Sequence, residues 1–281
     1  MAEKKRIDVA LVERGLAPSR EKAQALVMSG AVYIGEKRVD KPSERVDDET
    51  ALTVRQSGTG YVSRGALKLK KGLEVFGVDP RGVVAMDLGA STGGFTDVLL
   101  KGGAAHVYAV DVGYGQLDWK LREDPRVSVM ERTNARYLKP EDMPLHPTLG
   151  VMDVSFISIT KILPAAVTIL GDNGAFISLI KPQFEAGRER VGKKGVVRDA
   201  KVHEDVIRQV LCFVREELGW IPQALSFSPI KGPEGNIEFL LYLLPRAKAT
   251  HSVTDEEIER VVREAHDHLQ AARGAGEEED R

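Results

Sequence analysis

The sequence predicts an α/β fold: a doubly wound, mainly parallel seven-stranded sheet, with a small α+β unit in front of it. Three observations lead there. From residue 83 onward short β-branched runs alternate with amphipathic stretches. The glycine-containing loop Asp87-Leu88-Gly89-Ala90-Ser91-Thr92-Gly93-Gly94-Phe95 joins the first of those runs to a helix. Residues 5–57 follow a different pattern, two short helical stretches and then short strands. Apolar strands interleaved with helices bury both faces of a sheet, which is the parallel arrangement.

In the first unit, periodicity places helices over residues 7–14 and 19–29, the second begun by Pro18-Ser19 with Glu21 in its first turn. Gly35-Glu36 then divides two apolar stretches as a hairpin would. Residues 58–64 read as a linker between a domain at 5–57 and another at 65–250. In the larger domain the predicted strands are 83–88, 106–112, 127–131, 149–155, 175–181, 221–227 and 237–244. Helices fit at 93–101, 157–170 and 200–218, and one containing Lys68 precedes the first strand. The connection SPIKGPEGN between the last two strands is too short for a crossover, so these should be antiparallel neighbours. A polar helix at 254–272 and an acidic tail at 273–281, expected to be disordered, complete the chain.

Hydrophobic residues make up 42% and charged residues 29% of the 281, an ordinary globular balance that excludes fibrous and largely disordered classes. No apolar run approaches the ~18 residues of a membrane span, and the amino terminus is broken by charges where a signal peptide is apolar. A cytoplasmic location and no membrane partner are therefore expected. The single cysteine, Cys212, can form no internal disulfide and reads as a small hydrophobe on a helix. The six histidines lack metal-ligand spacing, so no metal is expected.

The net charge of −2 hides an uneven distribution. Residues 254–281 hold ten acidic and four basic residues, so the preceding part of the chain carries +4. Two stretches are basic: 61–71, with Arg64, Lys68, Lys70 and Lys71 and no acid, and 181–201, with seven basic residues against three acids. Such runs suit a phosphate backbone only if they border one cleft. Arg188, Arg190, Lys193, Lys194 and Arg198 lie in a glycine-containing loop that reads as a phosphate-contacting lid.

The glycine loop lets backbone approach a ligand at a helix amino terminus. Its glycines fall at 89, 93 and 94, which departs from the G-x-G-x-x-G dinucleotide spacing. An amino-acid-bearing nucleoside fits better than NAD, and Asp111, ending the second strand, is placed to accept both ribose hydroxyls. Together these favour S-adenosylmethionine. The candidate cofactor residues are Asp87, Gly89, Ala90, Ser91, Thr92, Gly93, Gly94, Phe95, Asp111, Val112 and Asn134. Phe95, Phe156 and Phe184 flank the motifs and read as core aromatics.

Strand topology also gathers a reactive set. Asp153 and Lys181 end the fourth and fifth strands, on the rim that bears the cofactor loop. Glu238 begins an antiparallel strand and so reaches the same rim, and Lys68 lies on a helix that could cover it. A ribose hydroxyl is a poor nucleophile until its proton is taken or its oxygen oriented. For Lys181, a neighbouring cation would lower a pKa that starts near ~10.4 while carboxylates would raise it, so base and orienting roles both stay open.

Lys68, Asp153, Lys181 and Glu238, carried by SRGALKL, DVSFIS, IKPQFE and GNIEFLLYL, resemble the K-D-K-E tetrad of the FtsJ-type ribose 2′-O-methyltransferases. The stretch from Arg6 to Val46 resembles the α-L RNA-binding domain named for ribosomal protein S-four, and residues 5–250 as a whole look like the TlyA, or haemolysin-A-like, family. The resemblance implies a Rossmann-like methyltransferase fold, methylation of cytidine 2′-hydroxyls in ribosomal RNA of one or both subunits, and Lys181 as the tetrad member nearest the attacking hydroxyl. It also implies Arg6, Arg20, Lys22, Lys37 and Arg38 as RNA contacts, beside Arg64, Arg188, Arg190, Lys193 and Lys194. A rival reading is a non-enzymatic RNA-binding or ribosome-assembly factor. The membrane activity that the haemolysin name suggests has no spanning or strongly amphipathic segment behind it.

Overall fold

The computed structural model describes residues 4–28, 30–35, 37–54, 60–192, 194–232 and 234–277, with side chains through Leu269. In the amino-terminal unit β1 (Lys5–Arg6), α1 (Ile7–Glu13) and α2 (Arg20–Met28) precede β2 (Val32–Ile34), β3 (Lys37–Arg38), β4 (Arg45–Val46) and β5 (Leu52–Val54). The Ser19 hydroxyl accepts from the Lys22 amide at 3.3 Å, so it starts α2 as the sequence suggested. The Gly35 turn joins β2 and β3 as an antiparallel pair, Ile34 opposite Lys37. Ile7, Leu11, Ala23, Val27, Val32, Val39 and Val46 form a small separate core.

The larger unit comprises α3 (Ala66–Phe76), β6 (Val84–Leu88), α4 (Gly94–Lys101), β7 (His106–Val110), α5 (Trp119–Arg122), β8 (Val127–Met130), β9 (Leu149–Met152), α6 (Leu163–Leu170), β10 (Ala175–Ile180), α7 (Pro182–Glu185), α8 (Ala200–Glu217), β11 (Trp220–Phe227), β12 (Phe239–Pro245) and α9 (Asp255–Glu277). Seven strands pair in the order β11-β12-β10-β9-β6-β7-β8. All pairings are parallel except those of β12, which is antiparallel to both β10 and β11. Alternate strand residues face opposite sides, so the sheet has two apolar layers. Leu69, Val98, Leu99, Val107, Ile177 and Leu240 lie on the α3/α4 side. Met86, Phe176, Val206, Val210, Phe239 and Leu241 lie on the other, where α6 and α8 sit.

Three local readings change. The helix expected over 157–170 is split into a one-turn segment, Ile159–Lys161, capped by Ser158, and α6, with Pro164 in its first turn. Proline lacks the N–H of a helix interior, so a new helix has to begin there. The last helix is amphipathic rather than polar: Ile258, Val261, Val262, Ala265 and Leu269 are buried, and the helix contacts β11 and α8. A Thr254/Glu257 capping box starts it, and it continues past residue 272 to Glu277 through helix formers such as Ala271, Ala272 and Arg273, while 278–281 lie outside the described residues. Cys212 lies on α8 but is exposed, so its side chain fills no core.

Candidate active site

The sheet register places the reactive residues before any side chain is considered. Leu88 pairs with Met152, so Asp153 emerges beside the loop that begins at Gly89. Ile180 pairs with Phe239, which sets Lys181 and Glu238 side by side at the same sheet end. Lys68, on α3, closes the group from above. Its Nζ donates to Asp153 Oδ2 at 3.2 Å and lies 2.6 Å from Glu238 Oε2. Lys181 Nζ lies 2.6 Å from Asp153 Oδ1 and donates to Ser155 Oγ at 2.9 Å. The four residues drawn from separate motifs thus form one continuous chain, Glu238 to Lys68 to Asp153 to Lys181.

Burial makes this chain electrostatically tight. Glu238 is fully buried and Lys68 and Lys181 nearly so. Burial works against the charge on Asp153, but Lys181 and Lys68 outweigh it and hold the carboxyl below its usual range. Burial likewise opposes the charge on Lys68, and Asp153 and Glu238 overcome it to push the ammonium above the ordinary lysine value. Glu238 Oε1 has no hydrogen-bond partner among the described residues. Gly232 approaches it so closely that a Cβ there would lie 2.6 Å from that oxygen.

A cavity of about 610 Å³ opens beside Asp153. Gly89, Ser91, Asp111, Val112, Gln116, Thr133, Asn134 and Ser155 are among its lining residues. Asp111 accepts the Ser91 amide at 2.8 Å on Oδ2 and the Gly113 amide at 2.7 Å on Oδ1. Each oxygen keeps a second lone pair, which suits the two hydroxyls of a ribose. A smaller cavity of about 160 Å³ continues along Ser63, Arg64, Lys68, Ala90, Thr92, Gly94, Phe95 and Lys181. A ligand with a nucleoside at one end and a polar chain at the other could span both.

Two candidate cofactor residues reach neither cavity. Asp87 is buried beneath the loop, where its Oδ2 takes the Thr96 amide at 2.9 Å and hydroxyl at 2.7 Å, bracing the start of α4. Gly93 faces Leu117 and Leu121. Gly89 serves packing as much as any ligand: its φ is +87°, and a Cβ would lie 2.7 Å from the Asp153 carbonyl oxygen. Sequence reasoning did not find Gln116, Thr133 and Ser155, which carry no motif signal. It also missed that Gln24 and Met28 of α2 wall the larger cavity, a domain contact that periodicity cannot show. Phe95 is core, as expected, but Phe156 is 92% exposed, at φ +66°, with its ring 5.2 Å from that of Phe184. A residue held in that conformation beside a cavity is not a core aromatic.

The expected RNA contacts are mostly engaged already. Arg6 and Arg20 both donate to the buried Asp8 carboxylate, which Gln24 also reaches at 2.8 Å. Lys37 pairs with Glu44 at 3.4 Å and Arg38 with Asp40 at 2.7 Å. Lys22 is half-buried on α2. Arg64 sits between the units and donates to the Lys231 carbonyl at 3.0 Å. Arg190 ties itself to the Ala186 carbonyl at 2.8 Å, whereas Arg188 and Lys194 are exposed and Lys193 lies outside the described residues. No helix among the described residues is long and apolar enough to cross a membrane, and none of their His, Cys, Asp and Glu side chains form a group of three that could hold a metal ion.

This geometry agrees with the comparisons. FtsJ-like methyltransferases match residues 61–244 and the S4 domain matches residues 5–52. The provisionally named rRNA methyltransferase YqxC of Bacillus subtilis is 53% identical, over 94% of this chain and 95% of its own. The 16S/23S rRNA (cytidine-2′-O)-methyltransferase TlyA of Mycobacterium tuberculosis is 47% identical, over 94% of this chain and 98% of its own. A solved structure from Streptococcus thermophilus, provisionally designated a hemolysin, superposes with a TM-score of 0.77 at 45% identity, covering 98% of this chain and 100% of that one. With its sheet order, tetrad and preceding S4 domain, the chain belongs to the FtsJ-like methyltransferases, in the S4-bearing group that includes TlyA.

Proposed function

We propose that the protein transfers a methyl group from S-adenosylmethionine to the 2′-hydroxyl of cytidine in ribosomal RNA, in the small subunit, the large subunit or both. The observation that carries this reading is the buried chain of Lys68, Asp153, Lys181 and Glu238 at the mouth of a nucleoside-sized cavity. The substrate class is supported by the S4 domain and by what the M. tuberculosis relative is named for. A cytoplasmic place of action goes with that substrate.

When bound, S-adenosylmethionine supplies an electrophilic methyl group on a sulfonium. The chain's own residues do the rest. Asp111 and Asn134 hold the nucleoside end, and Ala90, Thr92, Gly94 and Phe95 of the glycine loop take the amino-acid end. Lys181 spends two of its donor directions on Asp153 and Ser155, leaving the third for the ribose oxygen. It would thereby orient the oxygen's lone pair for attack on the methyl group. Asp153, held below the usual carboxylate range, is a weak proton acceptor, so its work is to keep both lysines in place. With the donor bound, the transfer would exchange the sulfur–methyl bond for an oxygen–methyl bond, and the hydroxyl proton would pass to solvent.

The test is transfer of labelled methyl from S-adenosylmethionine to purified ribosomal subunits, with the modified nucleotide mapped by its resistance to alkaline cleavage. Label on a cytidine ribose is the expected result. Label on a base, or none on RNA despite measurable cofactor binding, would overturn the proposal, the latter in favour of an assembly role.

A further inference from the structure

The basic loop after Lys181 looks free in the sequence, yet its far end is fastened. Asn236, 1% exposed, uses both ends of its side-chain amide there. The Val197 amide donates to Asn236 Oδ1 at 3.0 Å, and Asn236 Nδ2 donates to the Gly195 carbonyl at 2.9 Å. The Val197 carbonyl is met at 3.2 Å by His203 Nε2, on a fully buried ring. Because that nitrogen faces a carbonyl it must donate, so His203 Nδ1 accepts from His266 Nε2, 2.9 Å away on α9. Val196 and Val197 bury their side chains alongside.

The other end of Asn236 belongs to the tetrad. Its carbonyl accepts the Gly232 amide at 2.9 Å, and Gly232 is the residue at which a Cβ would meet Glu238 Oε1. Glu238 follows two residues later and pairs with Lys68 at 2.6 Å. A single buried amide therefore connects the root of the basic loop to the segment that carries the Glu238 carboxylate of the tetrad. Releasing the Oδ1 end would leave the buried Val197 amide unpaired. The loop root and Glu238 consequently shift together or not at all.

We propose that Asn236 is a positioning residue that sets the basic loop in register with the Glu238–Lys68 pair, so that an RNA phosphate held by Arg188 and Lys194 and the reacting ribose are placed as one unit. This rests on the RNA reading given under Proposed function.

Asn236→Ala and Asn236→Asp in the full chain test it, the second keeping an acceptor for the Val197 amide while losing the donor to Gly195. Asn236→Ala should speed tryptic cleavage at Arg188 and Lys194 by about tenfold. It should also lower kcat at saturating ribosomal RNA by about tenfold or more, with the dissociation constant for S-adenosylmethionine within about twofold of wild type. Asn236→Asp should fall between Asn236→Ala and wild type in both readouts. Turnover near wild type despite faster cleavage would show that loop and tetrad are independent, and unchanged cleavage would show that the amide is no fastener. Loss of cofactor affinity in step with turnover in both variants would reduce Asn236 to general stability; each of these results overturns the proposal. If the wild-type protein methylates no RNA, the functional reading fails on its own, and the cleavage ratio still decides the fastening.

Discussion

Lys68 and Glu238 meet at 2.6 Å in the interior, the carboxylate fully buried and the ammonium nearly so, with the backbone of Gly232 closing the space behind them. Removing one partner of such a pair leaves a charge with little solvation, which costs about 3–5 kcal/mol in comparable sites. Glu238→Ala should therefore lose stability of that order in urea unfolding, as well as turnover. Lys68→Met together with Glu238→Leu should recover much of the stability and none of the activity. Equal stability for wild type and Glu238→Ala would show that the pair is solvated in solution.

Lys181 holds no comparable structural duty, because its partners Asp153 and Ser155 remain in contact with other groups or the cavity. Lys181→Ala should leave S-adenosylmethionine binding nearly intact and lower single-turnover rates by roughly 10²-fold, as loss of an orienting or proton-transferring group does. A rate within threefold of wild type, read in the same assay, would remove Lys181 from the reaction.

The tetrad was legible in the sequence because sheet geometry does the placing: a residue one position beyond a parallel strand's carboxyl end, or one before an antiparallel strand's start, has only one rim to occupy. Asp153, Lys181 and Glu238 each obey that rule. Asp87 shows where it stops. A carboxylate in the cofactor motif reads as a ligand contact, yet it lies within β6, at 0% exposure, and turns to Thr96. Phe156 fails for a different reason, since nothing in DVSFIS reveals a left-handed backbone that swings the ring outward. The pairing of Arg6 and Arg20 on Asp8 was equally hidden, because it depends on how α1 and α2 cross.

Burial pushes Asp87 up to about 7, against the hydrogen bonds from Thr96. An unfolded aspartate titrates near ~3.9, so between those values the folded chain binds the extra proton. Its contribution is greatest below the lower value and is lost as pH rises through the upper one. Asp87→Asn cannot titrate. Relative to wild type, its stability in urea should therefore improve by a few kcal/mol, roughly, between pH 4 and pH 8. Parallel pH profiles for the two proteins would mean that the carboxyl is not held in the way the burial implies.

Phe156 offers the cavity a ring 92% exposed, backed by Phe184 and held at a φ that is strained for any side chain other than glycine. Stacking on an aromatic face is worth about 1–3 kcal/mol per base. Phe156→Ala should leave unfolding and cofactor binding unchanged and raise KM for ribosomal RNA by about tenfold, consistent with that range. A rise in the cofactor's dissociation constant with no change in KM for RNA would assign the ring to the donor instead.

Asp8 gives the sharpest contrast between charge and geometry at the surface proposed to meet RNA. The Arg6 hydrogen bonds, more than those of Gln24 and Arg20, hold its carboxyl well below the usual carboxylate range. It keeps one negative charge beneath two guanidinium groups at any pH above that depressed value. If phosphate binding followed net charge alone, Asp8→Asn would tighten it by freeing one positive charge. If orientation matters, the variant should bind ribosomal RNA several-fold more weakly, about threefold to tenfold, because neither guanidinium is held toward a phosphate. Arg20→Ala supplies the reference: loss of one phosphate contact should reduce the slope of log K against log salt by about 0.9. Weaker binding by Asp8→Asn without that drop in slope would identify orientation as the cause. Tighter binding would show that the carboxylate is only a fold element, and that the arginines find phosphate without it.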